Sequence, residues 1–346
     1  MQRLLQRFKC ELNKYKRVYT QLCKHQEGAS WKQVMQFVKI VYCHKVTNIN
    51  IFDLQRFPQL LSTKERESYF TNAQYVYFCE HINQQKALYL VRQKHLLLTR
   101  LAHKIERQWI YLPEANEEDV REFLAKVSDF LLKPDDLAFG KGIAKCQAKN
   151  GFVELIFPDK SGQKYDYHGF YRRYHAKNYL LEEYIRQHPV ISAIYPQCVN
   201  SIRIHSINLH GKAEIVELSS LKIGQGEFSV TDHTGYTSVG IKPDGRLYSR
   251  DYFFNSDTHP DTGVKFDSII LPYWQECLNL VKEAALLVPE LTYIGWDVAI
   301  TLTGPTIIEG NGEPASYNIQ QTYELQTRGY GIAKEKQALL NRVLSS

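Results

Sequence analysis

The stretch that decides the fold lies near the C-terminal end of the chain. It reads GWDVAIT at Gly295–Thr301, LTGP at Leu302–Pro305 and TIIEGN at Thr306–Asn311. Both flanks are rich in β-branched residues, and a Gly-Pro turn separates them. Two such runs joined by a tight connection are typical of antiparallel strands, so the sequence predicts a β-hairpin.

Two carboxylates and an amide are placed to meet on this hairpin. Side chains on a strand alternate between faces, so Glu309 should share a face with Ile307 and Asn311. If the turn is centred on Thr303, Asp297 lies opposite Glu309 with Cβ atoms roughly 5 Å apart. Such hard oxygen ligands suit Mg²⁺, which binds few protein carboxylates and leaves room for substrate phosphates. The alternative is a half-buried hairpin whose polar side chains face solvent.

A candidate phosphate-binding segment lies upstream. The apolar run Phe130–Lys133 is followed by Pro134 and by a loop that contains Gly140 and Gly142. Glycines let backbone N–H groups approach a phosphate closely, and a lysine at a strand end supplies a point charge. The segment is not the G-x-x-x-x-G-K-[ST] loop, and no helix start follows it. Taken alone, such a segment is more often an ordinary loop.

The third element is the apolar strand Tyr179–Ile185, which runs into the connector Arg186–Pro189. A connector of this kind can present backbone N–H and C=O groups to the edge of an adenine base. The alternative is a strand that simply stops before a proline.

Taken together and in this order, these residues resemble an ATP-grasp enzyme. Between Lys94 and Tyr330 the sequence is similar to that of the sugar-transfer-associated ATP-grasp family. The similar motifs are EEYIRQHP (Glu182–Pro189), NSIRI (Asn200–Ile204), HPDTG (His259–Gly263) and both hairpin strands. Each motif is weak singly, and their joint order is the specific signal. The resemblance implies an α+β fold whose two lobes, with mostly antiparallel sheets, hold ATP between them after a helical N-terminal region.

The resemblance also implies roles for individual residues. Mg²⁺ would be held by Asp297, Glu309 and Asn311. The residues expected to bind ATP are Lys94, Lys133, Gly140, Gly142, Glu182, Glu183, Tyr184 and Ile185. The expected catalytic residues are Arg203, Lys133 and His259. A planar guanidinium with five donors suits the transferred phosphoryl group or the substrate carboxylate, which is the place expected for Arg203.

The acceptor side of the site has four candidates, namely Lys222, Asp232, His233 and His259. A loop histidine such as His259 can orient or deprotonate an amine, although solvated loop residues are the commoner explanation.

Two positions depart from the family pattern. Gln187 and His188 stand where many ATP-grasp enzymes place a carboxylate for the ribose hydroxyls. The segment His233–Ser238 reads HTGYTS where the family is usually glycine-rich. The ribose contact and the shape of the acceptor pocket are therefore left open.

The implied activity is ATP-dependent carboxylate–amine ligation. The γ-phosphoryl group passes to a carboxylate, and an amine then attacks the acyl phosphate to form an amide. The family's association with sugar transfer points to an amino acid or amine joined to a sugar acid in cell-surface polysaccharide synthesis, from small or carrier-linked substrates. Alternatives are a kinase acting on a hydroxyl and an amide ligase of natural-product synthesis. A non-catalytic nucleotide-binding protein is disfavoured, because the lysine and metal-ligand positions are all present.

Composition narrows the class of protein. The chain has 346 residues, 44% of them hydrophobic and 23% charged, which is ordinary for a globular protein of two or three lobes. No apolar run approaches the roughly 20 residues of a membrane span, and the basic, polar start is not a secretory signal. Seven scattered cysteines without a Cys-x-x-Cys pair predict a reducing, cytoplasmic location. The net charge of +6 is mild, and no nucleic-acid partner is expected.

The predicted organisation has three parts: a helical region over 1–93, a small lobe with the phosphate loop over 94–181, and a large lobe with the metal site over 182–346. A basic amphipathic helix near the N-terminus can lie on the inner face of an anionic membrane, and a helix packed on its own domain is the favoured alternative. Asn116 is predicted to cap a helix over Glu117–Lys126. The spacing of apolar residues predicts a further helix over Trp274–Leu287.

Overall fold

The computed structural model describes residues 63–137, 140, 142–157, 159–225, 236–251, 256–314 and 331–346. The predicted basic N-terminal helix, Asp232 and His233 lie outside the described residues. The described residues form two compact units, one of 63–81 with 331–345 and one of 82–314. No helix in these ranges is long and apolar enough to cross a membrane.

The helices begin in the smaller unit and recur between the strands. They are α1 (Thr63–Ser68), α2 (Asn72–Ile82), α3 (Tyr89–Arg92), α4 (Lys94–Arg100), α5 (Glu117–Lys126), α6 (Tyr167–Tyr174), α7 (Pro189–Ile194), α8 (Trp274–Leu287) and α9 (Ala333–Leu344). In the smaller unit the Lys336 side chain of α9 is buried and lies over the ring of Phe78. The predicted boundary at 93/94 differs from the border at 81/82, because Leu88 and Leu90 are buried in the same core as Leu97.

The N-terminal sheet contains β1 (Trp109–Tyr111), β2 (Asp129–Pro134), β3 (Ala144–Lys149), β4 (Phe152–Ile156), β5 (Gly162–Asp166) and β6 (Tyr179–Glu183). Its strands are antiparallel in the order β1-β6-β2-β3-β4-β5. Helices α5 and α6 cover one face, where Phe123 and Phe170 pack on either side of Phe130. The predicted boundary at 181/182 falls inside β6, the strand that pairs with both β1 and β2.

The predicted cap of α5 is confirmed. The Asn116 side chain accepts hydrogen bonds from the backbone N–H groups of Glu118 and Asp119, and the Asp119 carboxylate accepts one from the Asn116 N–H in return. The reciprocal pair satisfies donors that a helix start leaves open, which is why the helix begins at Glu117.

The C-terminal sheet contains β7 (Ser201–Leu209), β8 (Lys212–Gly224), β9 (Tyr236–Ile241), β10 (Leu247–Asp251), β11 (Tyr293–Ile300) and β12 (Pro305–Asn311). It is antiparallel in the order β10-β9-β8-β7-β11-β12. Two antiparallel sheets with helices packed against them confirm the predicted α+β fold.

Alternation along the strands gives the C-terminal sheet two unlike faces. One face joins α8 in the largest core of the protein and carries Ile202, Ile204, Leu221, Ile223, Val239, Trp296 and Val298. The intervening positions carry charged and hydroxyl side chains, among them Arg203, Lys222, Ser238 and Asp297, which are also buried or nearly so. We call this second side the polar face. A hydrophobic face fixes the register of the sheet, and the register in turn fixes which polar residues meet.

The predicted hairpin is confirmed as β11 and β12, and Asp297 lies opposite Glu309. The turn is not centred on Thr303, however, because Ile300 pairs with Pro305.

A β-bulge restores the pairing of the two carboxylates. Ile307 pairs with Val298 and Glu309 pairs with Asp297, so Ile308 is an extra residue without a partner in the ladder. Directly opposite residues point to the same face, which places Ile307 with Val298 in the core and Glu309 on the polar face. The prediction that Glu309 shares a face with Ile307 is therefore wrong, since the bulge shifts the alternation by one residue.

Asn200 holds the chain between α7 and β7. Its Nδ2 donates to the carbonyl oxygens of Ile191 at 3.1 Å and Tyr195 at 2.9 Å. Its Oδ1 accepts from the N–H of Gly224 at 3.2 Å. The side chain is 1% exposed, so no water replaces these bonds.

We expect Asn200→Ala to lower the free energy of unfolding by about 3 kcal/mol, because it leaves buried backbone groups without partners. The matched control is Asn279→Ala, at an exposed position on α8, which should cause no measurable change. Urea denaturation of both variants checks this, and equal stabilities would contradict it.

Candidate functional site

One continuous row of residues crosses five strands on the polar face. Following the strand pairs from β12 to β9, the row is Glu309, Asp297, Arg203, Ser220 and Gly240. Each member lies directly opposite the next, so the side chains of Glu309, Asp297, Arg203 and Ser220 point to the same side of the sheet. Sequence spacing predicted the first pair of this row, and the tertiary structure adds the others.

Asp297 and Arg203 form a bidentate ion pair in the middle of the row. The distances are 2.7 Å from Nε to Oδ1 and 2.9 Å from Nη2 to Oδ2. The Lys222 Nζ lies 3.3 Å from the same carboxylate. Burial alone would raise the pKa of Asp297, but Arg203 and then Lys222 outweigh it and hold the pKa well below its ordinary range. Burial, followed by repulsion from Arg203, lowers the pKa of Lys222.

The structure brings the three predicted metal ligands together. Burial and the neighbouring Asp297 raise the pKa of Glu309, because two carboxylates lie side by side at a partly buried position. Asn311 Nδ2 lies 3.4 Å from Glu309 Oε1 and 3.4 Å from the carbonyl oxygen of Gly295. Two carboxylates and an amide fit Mg²⁺, and a divalent cation would offset the repulsion between the carboxylates.

A second buried cluster lies on the N-terminal sheet. The Lys133 ammonium and the Arg107 guanidinium both contact the Glu182 carboxylate, and all three residues are buried. Burial would raise the pKa of Glu182, but Arg107 and Lys133 outweigh it and lower the pKa to about 2. Glu182 therefore holds the predicted phosphate-binding lysine in place.

Arg107 is a site residue that the sequence analysis missed. Besides Glu182, it contacts the hairpin strand β12, with Nη1 3.0 Å from Thr306 Oγ1 and Nη2 3.5 Å from the carbonyl oxygen of Ile308. It links the lysine cluster to the strand that carries Glu309. No sequence signal predicts this, because its partners lie 75 or more residues away along the chain.

Lys94 lies at the start of α4, between the two clusters. Its Nζ donates to the carbonyl oxygens of Pro134 at 3.1 Å, Asp135 at 3.0 Å and Leu137 at 2.6 Å. Burial lowers the pKa of Lys94, with Glu309 opposing and Lys133 adding to this effect. Lys94 is therefore close enough to interact electrostatically with both Glu309 and Lys133.

Fewer residues of the predicted adenine connector have a free backbone N–H group than the sequence indicated. Glu182 lies in β6 between β1 and β2, so its backbone belongs to strand ladders on both sides and cannot read adenine. The N–H of Glu183 donates to Gln108 O at 2.8 Å, and the N–H of Tyr184 donates to Asp129 O at 2.9 Å. Of the four predicted residues Glu182 to Ile185, which all lie in the described ranges, Ile185 is the one whose backbone N–H donates to no backbone carbonyl.

Gly140 and Gly142 adopt conformations that other residues rarely take, with φ of 68° and 72°. A Cβ atom added to Gly142 would lie 2.9 Å from Cγ of Pro134, the residue after Lys133. Gly142 can therefore lie closely against the end of β2.

The His259 ring is hydrogen-bonded to backbone groups at both of its nitrogens. It is 1% exposed, its Nε2 lies 2.8 Å from the carbonyl oxygen of Gly224, and its Nδ1 accepts from the Asp261 N–H at 3.3 Å. Both ring nitrogens are thus occupied by backbone groups, which leaves neither to take a proton from an amine. We therefore do not carry the predicted catalytic role of His259 forward.

The sequence matches the profile of the sugar-transfer-associated ATP-grasp family over residues 72–328, well over half of the chain. The chain belongs to this family. No curated protein matches the sequence.

Several solved ATP-grasp structures are similar. The ATP-grasp ligase PsnB complexed with minimal precursor has 14% identity and a TM-score of 0.42, covering 75% of this chain and 63% of that chain. The D-alanine-D-alanine ligase from Coxiella burnetii has 11% identity and a TM-score of 0.42, with 76% and 61% covered. The D-cycloserine synthetase DcsG has 15% identity and a TM-score of 0.40, with 78% and 79% covered. This ATP-grasp chain spans a little over three fifths of the length of the first two.

We expect Glu182→Gln to destabilise this ATP-grasp protein by about 3 kcal/mol at neutral pH, because it leaves two buried cations without a counter-charge. Since the folded pKa of about 2 lies below the ordinary 4.5, the stabilisation is complete above 4.5 and is lost as the pH falls towards 2. The difference between variant and wild type should therefore narrow over that window.

Denaturation at several pH values checks this, with the exposed Glu154→Gln as the matched control, expected to cause no measurable change. A pH-independent difference would contradict the assignment.

Gly142→Ala and Gly151→Ala form a matched pair of variants. Both glycines have positive φ, 72° and 79°, but only at Gly142 does an added Cβ meet another atom within 4 Å. We expect Gly142→Ala to weaken ATP binding about tenfold or more by displacing the loop from Lys133, and Gly151→Ala to leave it unchanged. Calorimetric titration with ATP and Mg²⁺ measures both, and equal affinities would contradict a role for the loop.

Proposed function

We propose that this chain is an ATP-dependent carboxylate–amine ligase that forms an amide through an acyl phosphate. It would join an amino acid or amine to a sugar acid in cell-surface polysaccharide synthesis, using small or carrier-linked substrates. The observation that carries this proposal is the row on the polar face in which the carboxylate pair Asp297 and Glu309 meets Arg203, with Lys222 beside it.

The charge of the site favours a polyanionic nucleotide. The cationic side chains of the two clusters are Arg107, Lys133, Arg203 and Lys222, and the carboxylates are Glu182, Asp297 and Glu309. Cations outnumber carboxylates there by one, and charge of one sign attracts a ligand of the other. The phosphates of ATP supply that charge.

The metal would be held by Asp297, Glu309 and Asn311. When bound there, Mg²⁺ would neutralise charge that develops on the phosphate oxygens. Arg203 and Lys222 both contact Asp297, so they would lie beside the phosphates and would stabilise the transferred phosphoryl group.

The nucleotide would be positioned by the N-terminal sheet and its loop. Lys133, held by Glu182, would contact the phosphates, and Lys94, whose ammonium is bonded to three backbone carbonyls, would add positive charge close to them. The loop with Gly140 and Gly142 would close over them and exclude water, and the backbone of Ile185 would face adenine. Phosphoryl transfer needs such positioning and charge neutralisation rather than a covalent nucleophile.

The reaction then proceeds in two steps. An oxygen of the substrate carboxylate attacks the γ-phosphorus, and the bond to ADP breaks. The amine nitrogen attacks the acyl carbon, the amine loses a proton, and inorganic phosphate leaves.

We also propose a cytoplasmic location, which the buried thiols of Cys146, Cys198 and Cys277 support. Contact of the basic N-terminal segment with a membrane stays a prediction.

We expect ADP release with ATP and Mg²⁺ to require both a uronic acid and an amino acid. Glu309→Gln should lower the rate about 10²-fold or more, because it removes a metal-ligand carboxylate. Glu290→Gln, which removes only a surface partner of Arg100, is the matched control and should keep full activity.

Three outcomes separate the alternatives. Turnover that needs both substrates and fails in Glu309→Gln establishes the ligase. ADP release with a hydroxyl acceptor and a stable phosphate ester would replace it with a kinase. The absence of ATP binding would overturn both.

A further inference from the structure

Two buried serines on the polar face are not used by the proposed chemistry. Ser220 is 1% exposed and Ser238 is 0% exposed, and within the described part of the chain neither hydroxyl has a hydrogen-bond partner. Leaving a buried hydroxyl unpaired costs about 1–3 kcal/mol, so most such groups in folded proteins have a partner. A ligand that enters the site can supply that partner.

The register places both serines beside the reacting groups. Ser220 lies directly opposite Arg203 on one side and Gly240 on the other, and Ser238 lies directly opposite Lys222. Both hydroxyls therefore share the polar face with the two cations, on the side of Arg203 away from the metal ligands.

The hydrogen-bonding chemistry distinguishes the kinds of ligand that fit. Arg203 and Lys222 only donate, and they already suit the oxygens of a carboxylate or phosphoryl group. A serine hydroxyl both donates and accepts, whereas a carboxylate can only accept. An alcohol on the ligand, which also does both, satisfies the serines more completely than a second anionic group.

We propose that Ser220 and Ser238 bind hydroxyl groups of the acid substrate, so that this subsite selects a polyhydroxylated carboxylic acid over an unsubstituted one. This rests on the proposed ligase function for the position of the reacting carboxylate, beside Arg203 and Lys222. A site built to hydrogen-bond a substrate hydroxyl rejects the analogue that lacks it, because its own polar groups are then left unpaired.

Thr237 provides a matched control on the neighbouring position. It is 0% exposed and its hydroxyl also has no partner in the described ranges, but it lies opposite Ile223 and therefore points to the apolar core. Removal of its hydroxyl tests burial alone, without any contact to a ligand on the polar face.

The experiment compares D-glucuronate with cyclohexanecarboxylate, which has a six-membered ring and a carboxylate but no hydroxyl groups. Calorimetry measures the binding of each acid to the full chain with ADP and Mg²⁺, in the wild type and in Ser220→Ala, Ser238→Ala and Thr237→Val. Each variant is first checked for unchanged affinity for ADP and Mg²⁺. Hydroxylamine, which converts an acyl phosphate to a hydroxamate, reports turnover of the same acids with ATP.

The wild type should bind glucuronate at least about tenfold more tightly than cyclohexanecarboxylate. Each serine variant should weaken glucuronate binding about three- to tenfold, as expected for one hydrogen bond, and leave cyclohexanecarboxylate within about twofold. Thr237→Val should change neither affinity. A wild type that binds both acids equally, or neither, overturns the subsite, and so do serine variants that keep the wild-type ratio.

The two readouts separate this subsite from the ligase function. Hydroxamate formed equally from both acids would keep the ligase and overturn the subsite. Selective binding of glucuronate without hydroxamate would keep the subsite and overturn the ligase.

Discussion

The ion pair between Asp297 and Arg203 is the interaction on which the rest of the site depends. It lies between two central strands of the C-terminal sheet, with Glu309 on one side and Lys222 on the other. A buried carboxylate is stable here only because two cations face it. The same cations are the ones proposed to lie beside the phosphates of ATP, so under the proposed function the charges that stabilise the fold would also form the site.

A second buried ion-pair cluster offsets the cost of buried charge on the N-terminal sheet. Lys133 would be costly to bury alone, and Glu182 compensates its charge together with that of Arg107. Arg107 extends from this cluster to Thr306 on the hairpin. The residues proposed for phosphate and metal binding are thus connected by hydrogen bonds and ion pairs, which favours a preorganised arrangement over one assembled by the ligand.

Local patterns predicted much of the fold. The helix over Glu117–Lys126 follows from its capping residue, and the helix over Trp274–Leu287 follows from apolar spacing. The hairpin follows from two β-branched runs around a Gly-Pro turn. The bulge at Ile308 was not predictable, because an extra residue in a strand leaves no pattern that distinguishes it from regular alternation.

By itself, the sequence determined the α+β fold and the hairpin that carries Asp297 and Glu309, because these depend on patterns within short segments, and the resemblance of its ordered motifs gave the family. The bulge at Ile308, which sets Asp297 opposite Glu309, was decided by the tertiary structure. Only the tertiary structure decided that Glu182 faces inward to Lys133 and Arg107, that the ring of His259 is bonded to backbone, and that Ser220 and Ser238 lie beside the two cations. These contacts join residues on different strands, and the pairing of strands is fixed by burial of the apolar face rather than by any local signal.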